Sequence, residues 1–379
     1  LDVLLSLAAV DPLDFAVKAL AFIVVISLVV FVHEMGHFLV ARWCGVRVEV
    51  FSIGFGPELI GRDDRLGTRW KLAAVPLGGY VKFFGDADAS SGRADDAVEM
   101  TEEERRVSFH HKSVWSRIAI VFAGPAANFL FAIAVFAGVY GLLGQTAIPP
   151  VVADVQAGSA AAEAGIRPGD RILAVDGRRI TRFEDLQQRV PIANGAPMTL
   201  TIARDGREVT LDAQPRFAEI EDSFGETRRQ AMLGIVADGT TQEIIRLGPG
   251  EALVTALAKT YGLVEATLVT LGQMIGGERG TEDLGGPLRI AQLSGHVAEL
   301  GFVSLLMFTA FLSTNLGLIN LFPIPVLDGG HLAFYAVEAV RGRPLDETAQ
   351  EYGFRLGLVM IVGLMVFVTW NDIVRLING

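Results

Sequence analysis

Apolar positions in this chain run in long uncharged blocks rather than alternating with polar ones. Residues 118–153, 300–327 and 356–371 contain no Asp, Glu, Lys or Arg. A bilayer core about 30 Å thick asks for roughly 20 apolar residues in a helix. Four segments meet that length: about Phe15 to Trp43, Trp115 to Leu143, Gly301 to Phe322, and about Gly353 to Trp370. The first is read as a retained helix, because it lacks the basic start and small-residue cleavage site of a signal peptide and runs on through charged residues. A fifth stretch, Ala252 to Gly277, is interrupted by Lys259 and Glu265 and reads as an amphipathic surface or interfacial helix. The predicted fold is a polytopic α-helical membrane protein with four transmembrane helices.

The bases near the span ends set the orientation. Arg42 and Arg47 follow the first span and Lys112 and Arg117 flank the second, whereas 144–164 has no Lys or Arg. The loop 44–114 is therefore expected on the cytoplasmic side, with both termini and 144–300 outside and the loop 331–352, with Arg341 and Arg343, inside. Within 150–215 the pattern becomes β-rich. Val151–Val155 and Arg171–Val175 read as strands, Ser159–Ala164 and Phe183–Val190 as helices, and Met198–Arg204 pairs with Glu208–Ala213 across the hairpin signal Asp205-Gly206. Residues 216–300 form a connector with amphipathic helices, in which 216–250 is polar and ambiguous and Met232–Val236 offers one more strand.

Composition narrows the functional classes. Of 379 residues 51% are hydrophobic and 20% charged, and the formal net charge is −11. The mean hydropathy of +0.43 and a pI near 5.1 agree with a membrane protein. No clustered Lys/Arg stripe is present to neutralise phosphates, so nucleic acid is excluded as a partner. The lone Cys44 can form no intrachain disulfide and reads as a small buried residue.

Chemistry is concentrated in the first span, in His33-Glu34-Met35-Gly36-His37. Helical residues four apart differ by about 40° and 6 Å, so both imidazoles leave one face and can share a zinc ion. Glu34, one step on, can reach a metal-bound water without ligating. A charged residue at bilayer depth costs roughly 3 kcal/mol, so something must compensate for Glu34 in this apolar helix. The competing reading is a satisfied pair of core histidines beside an incidental carboxylate.

Zinc enzymes usually take a third protein ligand. Asp328, in Asn320-Leu-Phe-Pro323-Ile-Pro325-Val-Leu-Asp328-Gly329-Gly330, is expected to end the third span. The first and third spans run in the same direction, so their C-terminal ends reach the same side of the membrane. Pro323 and Pro325 break the helix, which at this depth is tolerated only where it lines a cavity or is buried in protein. The alternative for Asp328 is a solvated helix stop.

Several motifs together resemble those of the site-2 protease family of intramembrane zinc metalloproteases, and within it the bacterial RseP-like group that regulates sigma-E signalling. They are the His33–His37 pattern, Gly54-Phe55-Gly56-Pro57, Pro76-Leu77-Gly78-Gly79-Tyr80-Val81-Lys82, Gly124-Pro125-Ala126-Ala127-Asn128-Phe129, Pro168-Gly169-Asp170 and Asn320–Gly330. The resemblance implies Zn2+ on His33, His37 and Asp328, Glu34 as catalytic base, and cleavage of a substrate's transmembrane helix. It also implies a PDZ-like extracytoplasmic domain at 150–215. Only one such unit is evident where the group often carries two, and a steric gate is the favoured role over a peptide groove or a packing module. The implied setting is a bacterial inner membrane. The implied partners are single-pass transmembrane substrates, such as an anti-sigma factor or a remnant signal peptide, the lipid bilayer, and an upstream site-1 protease.

A transmembrane substrate must be unwound before attack, and an edge strand could hold it extended. Trp70–Val75 followed by Gly78–Phe83 reads as a membrane-associated β-hairpin, making Gly78, Gly79, Tyr80 and Val81 candidate substrate contacts. Asn320 could clamp substrate backbone or an oxyanion, with Asn315 a weaker candidate; either could instead satisfy backbone groups freed by the prolines. Gly54 and Gly56 suit close turns, and 124–129 suits tight helix contact. His110, His111, His296 and His331 are not needed as ligands. Two other classes compete: a zinc transporter or sensor, which would not need Glu34, and a noncatalytic PDZ membrane scaffold, which would not need the ligands.

Overall fold

The computed structural model describes residues 12–86, 100–193, 195–221, 227–238, 243–277 and 285–378. In chain order these form α1 (Pro12–Trp43), β1 (Val48–Asp63), β2 (Arg69–Phe83), α2 (Glu102–Val107), α3 (Val114–Leu142), β3 (Gln145–Ala147), β4 (Val152–Val155), α4 (Ala160–Glu163), β5 (Arg171–Val175) and β6 (Arg178–Arg179). They continue with α5 (Phe183–Ile192), β7 (Met198–Arg204), β8 (Arg207–Ala213), β9 (Arg216–Glu221), β10 (Thr227–Met232), β11 (Ile235–Ala237) and β12 (Glu243–Ile245). The last five are α6 (Pro249–Gly276), α7 (Pro287–Glu299), α8 (Phe302–Asn320), α9 (Asp328–Arg341) and α10 (Glu347–Asn378). The chain divides into two compact units, one of residues 1–138 with 251–379 and the other of residues 139–250.

In the first unit α1, α3, α8 and α10 each carry an apolar stretch long enough to cross a membrane. The fifth apolar stretch is also one continuous helix, α6. Among the described residues, then, five helices rather than four are long and apolar enough to cross a membrane. The third and fourth spans also differ from the expected outline. Pro323 and Pro325 end α8 at Asn320, but Asp328 does not close that span; it opens α9. Residues 331–341 of the expected loop are therefore helical, and the last helix begins at Glu347 rather than 353. An acidic first residue suits a helix start, where unpaired N–H groups and the helix dipole favour negative charge.

The β-hairpin is built differently from the expectation. Trp70–Val75 and Gly78–Phe83 both belong to β2, and the partner of both is β1. Each strand bends, so four segments lie side by side in the order 58–63, 69–73, 50–53 and 79–83. The β1 segment was hidden in the sequence because Gly54, Gly56 and Pro57 interrupt its alternation. Gly54 has φ +90°, and a β-carbon there would lie 2.8 Å from the Val75 carbonyl oxygen. Its bare backbone lets the strand turn against its neighbour.

An aromatic cluster joins this sheet to α1. Phe51 stacks on Trp70 with centroids 4.4 Å apart and meets Phe38 edge-on at 5.5 Å. Arg42 of α1 pairs with Asp64, whose carboxylate also accepts from the Trp70 indole at 3.2 Å. Burial works against the Asp64 charge, but backbone amides of Thr68 and Leu66, the indole and Arg42 hold its carboxyl down at about 2. Cys44 packs half-buried beside this cluster.

The second unit has a four-stranded antiparallel sheet in the order β6-β5-β7-β8. The expected hairpin is present: Arg204 pairs with Arg207 across Asp205 and Gly206, both at positive φ. Residues beyond 215 belong to the same unit rather than to a linker. Strand β11 pairs with β4, β12 pairs with β3, and Leu233 lies in the core with Val152, Ile172, Leu200 and Ile202. Met232 ends β10 and Ile235 starts β11, so the strand expected over 232–236 is two strands; 222–226 and 239–242 lie outside the described residues.

Candidate metal centre

His33 and His37 leave one face of α1 ten and six residues before its end at Trp43. At 1.5 Å per residue that places them about 15 and 9 Å inside the helix. Asp328 reaches them from the first turn of α9. One ligand atom from each of the three lies within 4.8 Å of the others. Asp328 Oδ2 stands 3.0 Å from His33 Nε2 and 3.5 Å from His37 Nε2, and the two Nε2 atoms are 3.2 Å apart.

Neighbouring groups fix this arrangement. His37 Nδ1 donates to the Ile120 carbonyl of α3 at 2.9 Å, which leaves Nε2 with its lone pair directed inward. His33 Nδ1 lies 3.2 Å from the carboxamide nitrogen of Asn128, also on α3. The helices approach closely because Gly36 and Gly124 present no side chain: a β-carbon on Gly36 would overlap the Ala123 carbonyl, and one on Gly124 would overlap His37 Nε2. Asp328 Oδ2 is buried and faces the two imidazole nitrogens. A buried carboxylate oxygen converging with two imidazole nitrogens is the donor set of a zinc site that keeps one position open. The residues fit a zinc ion.

Glu34 projects towards the sheet. The Val81 backbone hydrogen-bonds its carboxylate, and a β-carbon on Gly79 would lie 3.2 Å from Glu34 Cγ. The 79–83 segment is an edge of the sheet and runs beside this carboxylate. Of the other candidates there, Gly78 is packed by Phe55, and Tyr80 stacks on Phe55 at 6.1 Å with the Lys71 ammonium over its ring. Asn320 is the last residue of α8 and is half-buried. Asn315 turns to α6 instead: its Oδ1 accepts from Thr267 Oγ1 at 3.0 Å, and its Nδ2 donates to the Phe311 carbonyl.

The other histidines have partners of their own. His110 pairs with the buried Asp86 at 3.1 Å, His111 with the Ser108 hydroxyl, and His331 packs on Phe354. Sequence reasoning missed Ile120, Gly124 and Asn128 as parts of the centre. The signal was there in Asn128, a polar side chain in an otherwise uncharged span.

The helices and the site define a zinc-type peptidase embedded in a membrane. The chain belongs to peptidase family M50, whose pattern matches residues 21–364. A relative from Agrobacterium fabrum, bearing a zinc metalloprotease name, is 50% identical over 360 residues, which cover 94% of this chain and 96% of its own. One from Rhizobium meliloti with the same kind of name is 46% identical, covering 96% and 97%. Metalloprotease MmpA of Caulobacter vibrioides is 38% identical over 387 residues, covering 96% and 97%. Among solved structures, the PDZ domain of an SdrC-like protein from Listeria monocytogenes matches at a TM-score of 0.19 and 17% identity, covering 23% of this chain and 84% of that one. The protein is thus an integral membrane zinc metalloprotease of family M50.

Proposed function

We propose that this chain cleaves peptide bonds inside the membrane, in the transmembrane segments of single-pass proteins. The observation that carries the reading is the position of the site: His33 and His37 sit within an uninterrupted apolar helix, with Asp328 at the break after a second one. A substrate bond meeting these residues has to be reached at membrane depth.

Zinc held by His33, His37 and Asp328 supplies Lewis acidity, polarising a carbonyl and easing deprotonation of water. Glu34 takes the proton from the attacking water and returns it to the leaving nitrogen. The backbone of Val81 orients the Glu34 carboxylate for both transfers. The edge segment Gly79–Phe83 binds the unwound substrate as an added strand, with Gly79 letting the strand lie close to Glu34. Asn320 holds substrate backbone or the developing oxyanion. In this reading the enzyme lies in a bacterial inner membrane, the site lies near its cytoplasmic side, and the 139–250 unit acts outside as a PDZ-like gate. Substrates of the anti-sigma-factor or remnant-signal-peptide kind, trimmed first by a site-1 protease, fit such a gate.

The test compares wild type with Glu34→Gln in vesicles holding a single-pass reporter, and in cells by membrane proteomics. Loss of cleavage with zinc retained, and transmembrane fragments accumulating only with Glu34→Gln, supports the reading. Unchanged cleavage, or no accumulating fragment, rejects it in favour of zinc transport or scaffolding.

A further inference from the structure

Asn128 forms a hydrogen-bond pattern that proton transfer at Glu34 does not use. It is wholly buried in α3, with its carboxamide between His33 and Ser313. Asn128 Nδ2 lies 3.2 Å from His33 Nδ1, and the Ser313 hydroxyl lies 3.0 Å from the Asn128 main-chain oxygen and 3.2 Å from its Oδ1. An amide nitrogen only donates, so His33 Nδ1 accepts and the proton of the neutral ring resides on Nε2. That Nε2–H faces two acceptors, Asp328 Oδ2 at 3.0 Å and, at 3.2 Å, the Nε2 of His37, whose own Nδ1–H is committed to Ile120.

Zinc ligation through His33 Nε2 requires the opposite tautomer, with the proton on Nδ1. Nδ1–H would then oppose Asn128 Nδ2–H, donor against donor. A half-turn of the carboxamide about Cβ–Cγ removes the conflict: Oδ1 accepts from Nδ1–H, and Nδ2 donates to the Ser313 oxygen. Ser313 serves both orientations, since its hydroxyl can keep donating to the Asn128 main-chain oxygen. The turn exchanges an oxygen for an NH2 of nearly the same size, so it fits where Gly317 of α8 packs against the Asn128 Cβ.

We propose that Asn128 is the positioning residue for His33, and that its carboxamide turns over as zinc binds, fixing the tautomer that ligates. The proposal rests on the zinc reading of the site and not on proteolysis. The first test is 15N NMR of the full chain labelled at its six histidines, with His33 assigned by loss of its signals in His33→Gln. The expected result is Nε2 protonation of His33 without zinc and Nδ1 protonation with zinc; Nδ1 protonation in both conditions overturns the proposal. The second test measures the zinc dissociation constant by chelator competition. Asn128→Leu should weaken binding about 10–100-fold, whereas Asn128→Asp, which keeps an acceptor for Nδ1–H, should stay within about threefold of wild type. Equal loss in both variants, or none in Asn128→Leu, overturns it. Should Asn128→Leu not fold, the wild-type spectra still decide. Neither readout involves cleavage, so a failed Glu34→Gln test is recorded separately.

Discussion

Gly124 of α3 and His37 of α1 meet at the ligand face: a β-carbon on Gly124 would overlap His37 Nε2 and lie 2.9 Å from His33 Cε1. The metal-facing edges of both imidazoles are thus walled by bare backbone. Gly124→Ala puts a methyl group where the ligand nitrogens converge, and displacements of about 1 Å at such sites cost on the order of 100-fold in rate. The expected outcome is loss of bound zinc and of cleavage in a protein that still folds. Gly138→Ala, in the same helix but facing open space, should leave both unchanged. Zinc content by mass spectrometry, beside a thermal melt, separates the two variants.

Gly357 of α10 plays a similar part for the third ligand. Its Cα lies against the Pro325 carbonyl, in the 321–327 loop that delivers Asp328, and a β-carbon there would overlap that oxygen. Val326 in the same loop has φ +98°, a strained value for a β-branched residue. Gly357→Ala should therefore shift Asp328 and lower zinc affinity by about tenfold or more, as loss of support behind a ligand does. Gly363→Ala, two turns on with nothing near it, should be neutral or stabilise the helix by up to about 1 kcal/mol. Equal zinc affinity in the two variants would refute a supporting role for α10.

What the sequence made legible was whatever depends on local spacing or bulk polarity. The His33–His37 pair, the break at Pro323 and Pro325, the Asp205-Gly206 turn and the apolar helices could all be read from residues near one another. Asp328 was found as well, because the proline break is a local signal. Its place at the start of α9 was not, since a helix resuming after a break depends on what the loop packs against. The partner strand of Gly79–Phe83 stayed hidden because Gly54, Gly56 and Pro57 mask its alternation. Asn128, Gly124 and Gly357 read as helix-packing residues or as nothing at all, since their meaning lies in contacts far away in the chain.

In the 139–250 unit Asp170 is buried beside Arg204. Its carboxylate accepts from Arg204 Nε at 2.7 Å and from the Arg167 amide at 2.7 Å. Burial pushes the Asp170 pKa up, but these bonds outweigh it and hold it below the ordinary 3.8. A lowered carboxyl contributes stability that is fully present above the unfolded value and is lost as pH falls through the folded one. Limited proteolysis of this unit in the full chain should thus be flat from neutral pH to about 4 and rise steeply below that. Asp170→Asn should raise susceptibility at neutral pH, by about 3 kcal/mol of lost stability, and flatten the acid limb. An acid limb as steep in the variant as in wild type would assign the effect to another carboxyl.

Asp372, near the end of α10, accepts hydrogen bonds from the backbone amides of Gly286, Leu288 and Arg289 at 3.0–3.1 Å. Those are the donors at the start of α7, where Pro287 offers none and no local side chain caps the helix. One buried carboxylate thereby ties the last helix to α7 and satisfies its N-terminus. Removing it in Asp372→Ala leaves the amides unpaired, at a cost of about 2 kcal/mol for a cap of this kind. Hydrogen exchange across residues 286–299 should then quicken by roughly 30-fold, since each 1.4 kcal/mol is a factor of ten in an opening equilibrium. Asp372→Asn keeps one acceptor oxygen but loses the charge, so it should fall between the two. Zinc content should stay at the wild-type level in both variants, because α7 supplies no ligand to the centre. Exchange at α7 unchanged in Asp372→Ala would mean that packing alone holds the helix, and that the cap is incidental.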